Sequence, residues 1–317
     1  MSDDKIIKTI RQYQMKEQSL SGVHKLMTVI ACIIPLGLLF LMVNVITGGI
    51  KPFHKYIFIA AIAYLFCMFL VVQGIKGVKR KLKQFVGETV VREIIAERLT
   101  ISKYEPNGSF DEDFLRTSGV LPSYSKSYGS DYIKGTYKGK QITYCDIKLE
   151  SQKNDKTVTV FNGVVISLAL DKPIGNKRVR ILERGSKIGE AVTNAYINFW
   201  SKLGIALSEH TVKLESVEFN EKFEVQTTDD EFAFYILTPQ FMENIIKIDR
   251  LAAARTNICF GNDHVNIALN GGHDAFEIGS SLQNVNQLEE CRQKMRTDLN
   301  TVCLIMDEIL SKERLFG

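Results

Sequence analysis

Two uncharged apolar runs, Leu26–Ile46 and Tyr56–Ile75, dominate the hydropathy pattern near the start of the chain. Each is about 20 residues long, the length a helix rising 1.5 Å per residue needs to cross a roughly 30 Å hydrocarbon core. They predict a membrane hairpin over 26–75, with spans 26–46 and 56–75 joined by the short loop Thr47–Lys55. The first run is too long for a signal-peptide core, and no small-residue cleavage site follows it. Thr28 and Asn44 in the first run and Gln73 in the second are the hairpin's polar exceptions; Thr28 can bond its own helix backbone, and the other two lie at opposite depths. Two helices cannot enclose a pore, so an anchor rather than a transport path is expected.

From Gly77 to about Thr100, Val78, Leu82, Val86, Val90 and Ile94 recur every four residues, which predicts an amphipathic helix leaving the membrane. A domain over 101–317 follows. It opens with a strand at Ile101–Tyr104, a Pro-Asn-Gly turn, and a short helix near Ser109, where Ser109 and Glu112 fit a capping box. A Ser/Tyr/Gly-rich loop is expected at Ser118–Ser130. The period then shifts toward two. Asp131–Tyr137 and Gln141–Ser151 flank a Lys-Gly-Lys turn as a hairpin, and Thr157–Leu170 has the Val, Ile and Phe content of a central strand. Arg178–Arg184 predicts a further strand, Gly189–Leu203 a helix, and Phe223–Thr227 and Glu231–Leu237 two strands around an acidic turn. Thr238 and Pro239 open a helix. Asn257–Phe260 and His264–Asn270 form a hairpin, and a long helix capped by Asn286 closes the chain. The fold class is therefore α+β: a transmembrane hairpin, an amphipathic helix, and a mixed, largely antiparallel β-sheet domain with a long C-terminal helix.

Charge sets the orientation. Residues 1–83 hold twelve lysines and arginines against Asp3, Asp4 and Glu17, a net of +9; with +4 over the whole chain, the remainder carries −5. Lys5, Lys8, Arg11, Lys16 and Lys25 precede the first run, and Lys76, Lys79, Arg80, Lys81 and Lys83 follow the second. Both ends, including the segment 1–25 and the basic helix 76–100, are expected in the cytoplasm. The slightly acidic domain argues against nucleic acid as a partner. Lys76, Lys79, Arg80, Lys81 and Lys83 are candidate contacts to anionic lipid. Arg178, Arg180 and Arg184 share one face of their expected strand; a solvated edge strand is the default, and a second lipid-docking patch the sharper reading.

Six scattered cysteines without a C-x-x-C pair fit inert thiols in a reducing compartment rather than disulfides or zinc. His264 and His273, near Asp263, Asp274 and Cys259, suggest a metal set, but nine-residue spacing along a strand would point the two rings to opposite faces, so turn chemistry is the expected role. Gly185–Gly189 before a helix offers an anion-binding start, although a plain loop explains it as well. No phosphate-loop, dinucleotide, zinc-protease or nucleophile-elbow motif occurs, so neither an enzyme nor a cofactor is expected.

The stretches Val212-Lys-Leu-Glu-Ser-Val-Glu-Phe219, Phe223-Glu-Val and Tyr235-Ile-Leu-Thr-Pro-Gln-Phe-Met242, with the Tyr104-Glu-Pro turn, Phe161-Asn-Gly and Asp171-Lys-Pro, resemble an uncharacterised bacterial two-pass membrane-protein family, a domain of unknown function often encoded near LemA-type proteins. The resemblance covers about Lys79 to Ile278; the long helix after Asn286 departs from it. It implies the bacterial inner membrane and a LemA-like partner, and it carries over no functional residue. The expected function is a membrane-anchored interaction or scaffold module that recruits a protein partner, with homo-oligomers open to it. The alternative is a tethered ligand sensor or enzyme whose site is assembled from distant residues.

Overall fold

The computed structural model describes residues 1–46, 54–153, 156–184, 209–272, 276 and 284–311; in the first two helices, side chains are described up to Ala31 and again from Ile59. The chain divides into two compact units, Met1–Val86 with Ile278–Leu288, and Gly87–Glu277 with Glu289–Gly317.

The first unit is built on two long helices, α1 (Asp3–Ile46) and α2 (His54–Val86). They run antiparallel: Leu20 packs on Gly74, Glu17 pairs with Lys79 at 3.3 Å, and the Tyr13 and Phe85 rings lie 6.3 Å apart. The Tyr64 hydroxyl donates to the Met27 carbonyl, and Thr28 Oγ1 donates to its own helix at the His24 carbonyl (2.9 Å), as its position predicts. Among the described residues one helical stretch, Ile59–Ala96, is long and apolar enough to cross a membrane; its apolar window has a mean hydropathy of 2.0 and no buried residue. The first of the two expected spans lies, from Cys32 onward, outside the described side chains.

The helix expected from Gly77 to about Thr100 is divided among three elements, beginning with the end of α2 at Val86. It passes through a π-helical turn, Gly87–Val91, into α3 (Arg92–Ala96), and Val86, Val90, Val91, Ile94 and Ile95 are buried. At Gly87 a Cβ would stand 2.4 Å from the Pro106 ring, so only glycine admits that turn against the helix.

The second unit is one nine-stranded sheet in the order β1-β2-β3-β4-β9-β8-β5-β7-β6, antiparallel throughout. The strands are β1 (Thr100–Glu105), β2 (Lys126–Tyr137), β3 (Lys140–Lys153), β4 (Lys156–Ala169), β5 (Arg178–Glu183), β6 (His210–Val212), β7 (Phe223–Thr227), β8 (Arg255–Gly261) and β9 (His264–Asn270). The helices of this unit after α3 are α4 (Glu112–Thr117), α5 (Val217–Lys222), α6 (Asp230–Ile236), α7 (Pro239–Ala252) and α8 (Val285–Leu310), the last of which starts in the first unit. Lys138 and Gly139, both at positive φ, make the two-residue β2–β3 turn, a geometry that matches the right-handed strand twist. In the β8–β9 turn the positive φ falls on Asn262 rather than on Gly261.

Strand alternation gives the sheet two unlike faces. The back face carries Ile166, Leu168, Val179, Ile181, Ile258, Phe260, Val265 and Ile267, all buried. Phe241 of α7 meets Phe260 edge-on at 6.0 Å, and Asp307 of α8 accepts a hydrogen bond from Tyr137 at 3.0 Å. At one end of the front face, Cys145, Ile147, Leu149, Phe161, Val165 and Ala268 form a second core with Phe110, Leu115, Val120, Leu121 and Tyr124 from α4 and its flanks.

Several expectations are corrected. Glu231–Leu237 is not a strand but α6, because the Asp229 carboxylate captures the Phe232 amide (2.9 Å) as an N-cap. Helix α4 is capped by Asp111, not Ser109, and Ser109 instead packs against Gly129. Helix α8 is capped by Asn284, whose Oδ1 accepts from the Gln287 amide at 2.9 Å, and not by Asn286. Part of the expected loop 118–130 belongs to β2, and α5, capped by Ser216, lies in a stretch without an expected element. The expected helix Gly189–Leu203 and the Gly185–Gly189 loop lie outside the described residues.

Candidate functional site

Because directly paired residues in a ladder point to the same side, the strand register places one lateral polar row across the front face. From β7 to β1 it reads Gln226, Arg180, Cys259, Asn266, Ser167, Thr143, Lys134 and Lys103. In β4 and β9, Ser167 and Asn266 each stand between apolar neighbours.

Part of the row fixes the segment after α4. A loop laid on a sheet must have its carbonyls satisfied. Here three successive carbonyls each receive a side-chain donor from the sheet: Ser118 from Asn266 Nδ2 (3.0 Å), Gly119 from Arg180 Nε (3.0 Å) and Val120 from Asn257 Nδ2 (3.0 Å). Gly119 adopts φ +76°, and a Cβ there would lie 2.7 Å from Cys259 Sγ, so the loop passes directly over β8. Arg180, 0% exposed, also donates through Nη1 to Glu209 Oε2 (3.0 Å) and to Gln226 Oε1 (3.3 Å). Its charge is thus compensated by a carboxylate whose side chain is itself only 3% exposed.

The rest of the row forms the floor of an open cleft of about 1350 Å³ within the sheet unit. Thr143, Ser167 and Asn266 line the floor, and Phe110, Phe114 and Tyr132 one wall. The opposite rim is made by the β4–β5 turn with Lys177, the β8–β9 turn with Asp263, and Asp229. Phe110 stacks on Phe114 at 4.1 Å and meets Tyr132 edge-on at 5.6 Å, which makes the wall a rigid aromatic surface. Ser167 Oγ donates to Asn266 Oδ1 at 2.8 Å, so the floor is held by its own hydrogen bonds.

Most charged rim groups are engaged within the protein. Lys177 pairs with Asp229 at 2.9 Å, and His264 Nδ1 lies 2.7 Å from Asp263 Oδ1. Asp229 also caps α6; the Phe232 amide first, and then Lys177, hold its carboxyl below the usual range. Asp111 accepts from the Phe114 amide at 2.6 Å. Cys259 borders the floor, but burial pushes its thiol up, with Arg178 and Arg180 opposing that more weakly. Ser167 is bonded to an amide rather than a base. Neither Cys259 nor Ser167 is thus set beside a base in the way an activated nucleophile would be.

Arg178, Arg180 and Arg184 do not form a patch. Strand β5 is flanked by β7 and β8 and is no edge; Arg180 is fully buried, Arg178 lines the cleft, and exposed Arg184 donates to the Phe223 carbonyl at 3.1 Å. On α2, Lys76, Lys79, Arg80 and Lys81 are exposed and Lys83 is half-buried. His264 stands on the cleft rim, whereas His273 lies outside the described residues. Among the described residues no group of three His, Cys, Asp or Glu side chains is disposed to hold a metal ion. Sequence reasoning singled out neither Lys134, Thr143, Ser167 and Asn266 nor the aromatic wall; for Ser167 and Asn266 the available signal was a polar residue between apolar neighbours.

No curated protein matches the chain. A crystal structure of the mycobacterial trehalose monomycolate transport factor A, TtfA, aligns with a TM-score of 0.37 and 12% identity, over 69% of this chain and 96% of that chain, too distant a likeness to bear on fold or function. A family described as "Protein of unknown function (DUF3137)" matches residues 159–310. The match runs through α8, so the C-terminal helix is part of the family pattern and not a departure from it. The similarity spans residues 159–310, from β4 to the end of α8, and the matched family is one whose function is unknown.

Proposed function

We propose that this chain is a membrane-tethered interaction module: the runs 26–46 and 56–75 anchor it, both ends lie in the cytoplasm, and the sheet unit binds a protein partner at the inner face of the membrane. The observation that carries this reading is the helical stretch Ile59–Ala96, whose apolar window is long enough to span a bilayer and leaves no residue buried in protein. Water is a poor solvent for such a surface, and lipid satisfies it. Lys76, Lys79, Arg80 and Lys81 then meet anionic headgroups just beyond the second span, each contributing about 1 kcal/mol near the surface. The open cleft, with its charges largely paired inside the protein, favours a docking role over catalysis.

The test is alkaline carbonate extraction of native membranes, followed by co-purification of the tagged full chain in mild detergent. Retention in the membrane pellet, with a partner lost when residues 101–317 are removed, supports the reading. Release into the soluble fraction, or co-purifying species unchanged without 101–317, overturns it.

A further inference from the structure

We propose that the front-face cleft is the docking groove for an extended segment of the partner's polypeptide, one that carries an apolar anchor residue beside an acidic residue. The inference rests on the interaction-module reading and names the surface that serves it.

Size is the first ground. Pockets for small molecules hold about 300–1,000 Å³; this cleft, at about 1350 Å³ and open, has the dimensions of a groove. The floor is the second. Thr143, Ser167 and Asn266 stand side by side on β3, β4 and β9; the Ser167 proton and one Asn266 N–H are used within the protein, which leaves the Thr143 hydroxyl, the Ser167 oxygen and the second Asn266 N–H to donate and accept. A peptide backbone presents the same alternation of N–H and C=O. The wall is the third: the Phe110–Phe114 stack and Tyr132 offer an apolar surface to one anchoring side chain, the kind of feature on which interfaces concentrate their energy.

Charge supplies the polarity of the ligand. Lys103 and Lys134 are direct cross-strand partners on β1 and β2, a like-charged pair that costs stability on a sheet surface. Lys103 is compensated by Glu105 at 3.0 Å and sits 5.6 Å over the Tyr132 ring. Lys134 is exposed, lines the cleft, and has no carboxylate within ion-pair distance among the described residues. On the opposite rim Asp229 is paired with Lys177 and Asp263 lies against His264, while on the wall side Asp111 caps α4. An incoming acidic side chain therefore gains Lys134 without breaking an existing pair, whereas a basic one finds Asp229 already paired with Lys177.

The experiment pans a phage-displayed library of linear twelve-residue peptides against the full chain in nanodiscs, with empty nanodiscs subtracted. Enriched peptides are expected to carry an aromatic or aliphatic anchor with Asp or Glu nearby. Lys134→Glu, at an exposed position that leaves the fold intact, is expected to weaken the selected peptide roughly tenfold, and exchanging the peptide's acid for lysine is expected to restore binding to that variant. Phe114→Ala is expected to weaken all selected peptides alike. No enrichment, enrichment of basic peptides, or equal affinity for Lys134→Glu and the wild type would overturn the proposal. Full recovery of the native partner by Lys134→Glu would also sink it, while leaving the interaction-module reading intact.

Discussion

Replacing Arg180 with methionine asks whether one buried guanidinium holds the front face together. Methionine keeps much of the volume and removes the charge. The interactions that disappear include those with Glu209 at 3.0 Å, with the Gly119 carbonyl at 3.0 Å and with Gln226 at 3.3 Å. Glu209 keeps only Arg178, at the longer distance of 4.0 Å; a buried carboxylate left without any cation costs about 3–5 kcal/mol, an upper bound here, and an orphaned buried carbonyl costs about 1–3 kcal/mol. The two do not simply add, because the 118–120 loop can shift and admit water to both. A net loss of about 4 kcal/mol is expected, a large share of the roughly 5–15 kcal/mol by which domains are stable. At about 2–4 °C per kcal/mol for a domain of this size, that is a fall of roughly 10 °C. Urea and thermal unfolding of the full chain in detergent, followed by circular dichroism, measure it. The double variant Arg180→Met with Glu209→Leu removes both charges and is expected to recover about half the loss, the remainder being the Gly119 carbonyl and imperfect packing. A loss below about 1 kcal/mol in the single variant, or a double variant no better than the single, would refute the view that a compensated buried charge organises this face.

Gly119→Ala is expected to cost about 1–3 kcal/mol in the same assay, since φ +76° and a 2.7 Å approach to Cys259 Sγ both oppose a side chain; adding Cys259→Ala should relieve the contact but not the backbone strain. Burial first, and Asp249 next, raise the Glu183 carboxyl above its ordinary value, against the Thr256 amide that donates to it at 3.0 Å. Folding therefore takes up a proton at this group. Its contribution is fully present below the unfolded pKa of about 4.3 and is lost as pH rises through the folded value. Glu183→Gln keeps an acceptor for Thr256 and should be more stable than the wild type at neutral pH, with the difference shrinking toward pH 4 in urea titrations; a constant difference would count against it.

How far the sequence specified the structure depended on how local each cause was. The β8–β9 hairpin and the start of α7 were legible because turn chemistry and a Thr-Pro pair act over a few residues. Helix α6 was misread because Phe232, Phe234 and Tyr235 favour strands by type, while the cap from Asp229 and the burial of Phe232, Ala233 and Ile236 decide for helix. The cleft was illegible for a different reason. Arg180, Asn266, Ser167 and Thr143 lie far apart in the chain and become neighbours only through register, which periodicity within one strand cannot supply. The same geometry shows why Arg178–Arg184 looked like an edge: its basic residues signal solvent, and only the pairing with β7 and β8 reveals Arg180 as an internal tie.

The place of β4 in the sheet has a consequence for how the protein is made. Its partner on one side, β3, is a hairpin away, but its partner on the other, β9, lies about a hundred residues later, with Val164 opposite Leu269. During synthesis β4 is therefore a temporary rim, with a row of unsatisfied amides and carbonyls along the strand that will become the middle of the sheet. Such distant pairing makes closure slow and leaves the rim open to mispairing. Gly163 adds to the demand, since a Cβ there would lie 2.0 Å from the Leu269 carbonyl and β9 must come in at that close approach. Assembly of the sheet thus waits on β9, and the nascent chain is most vulnerable to aggregation in the interval between the two strands.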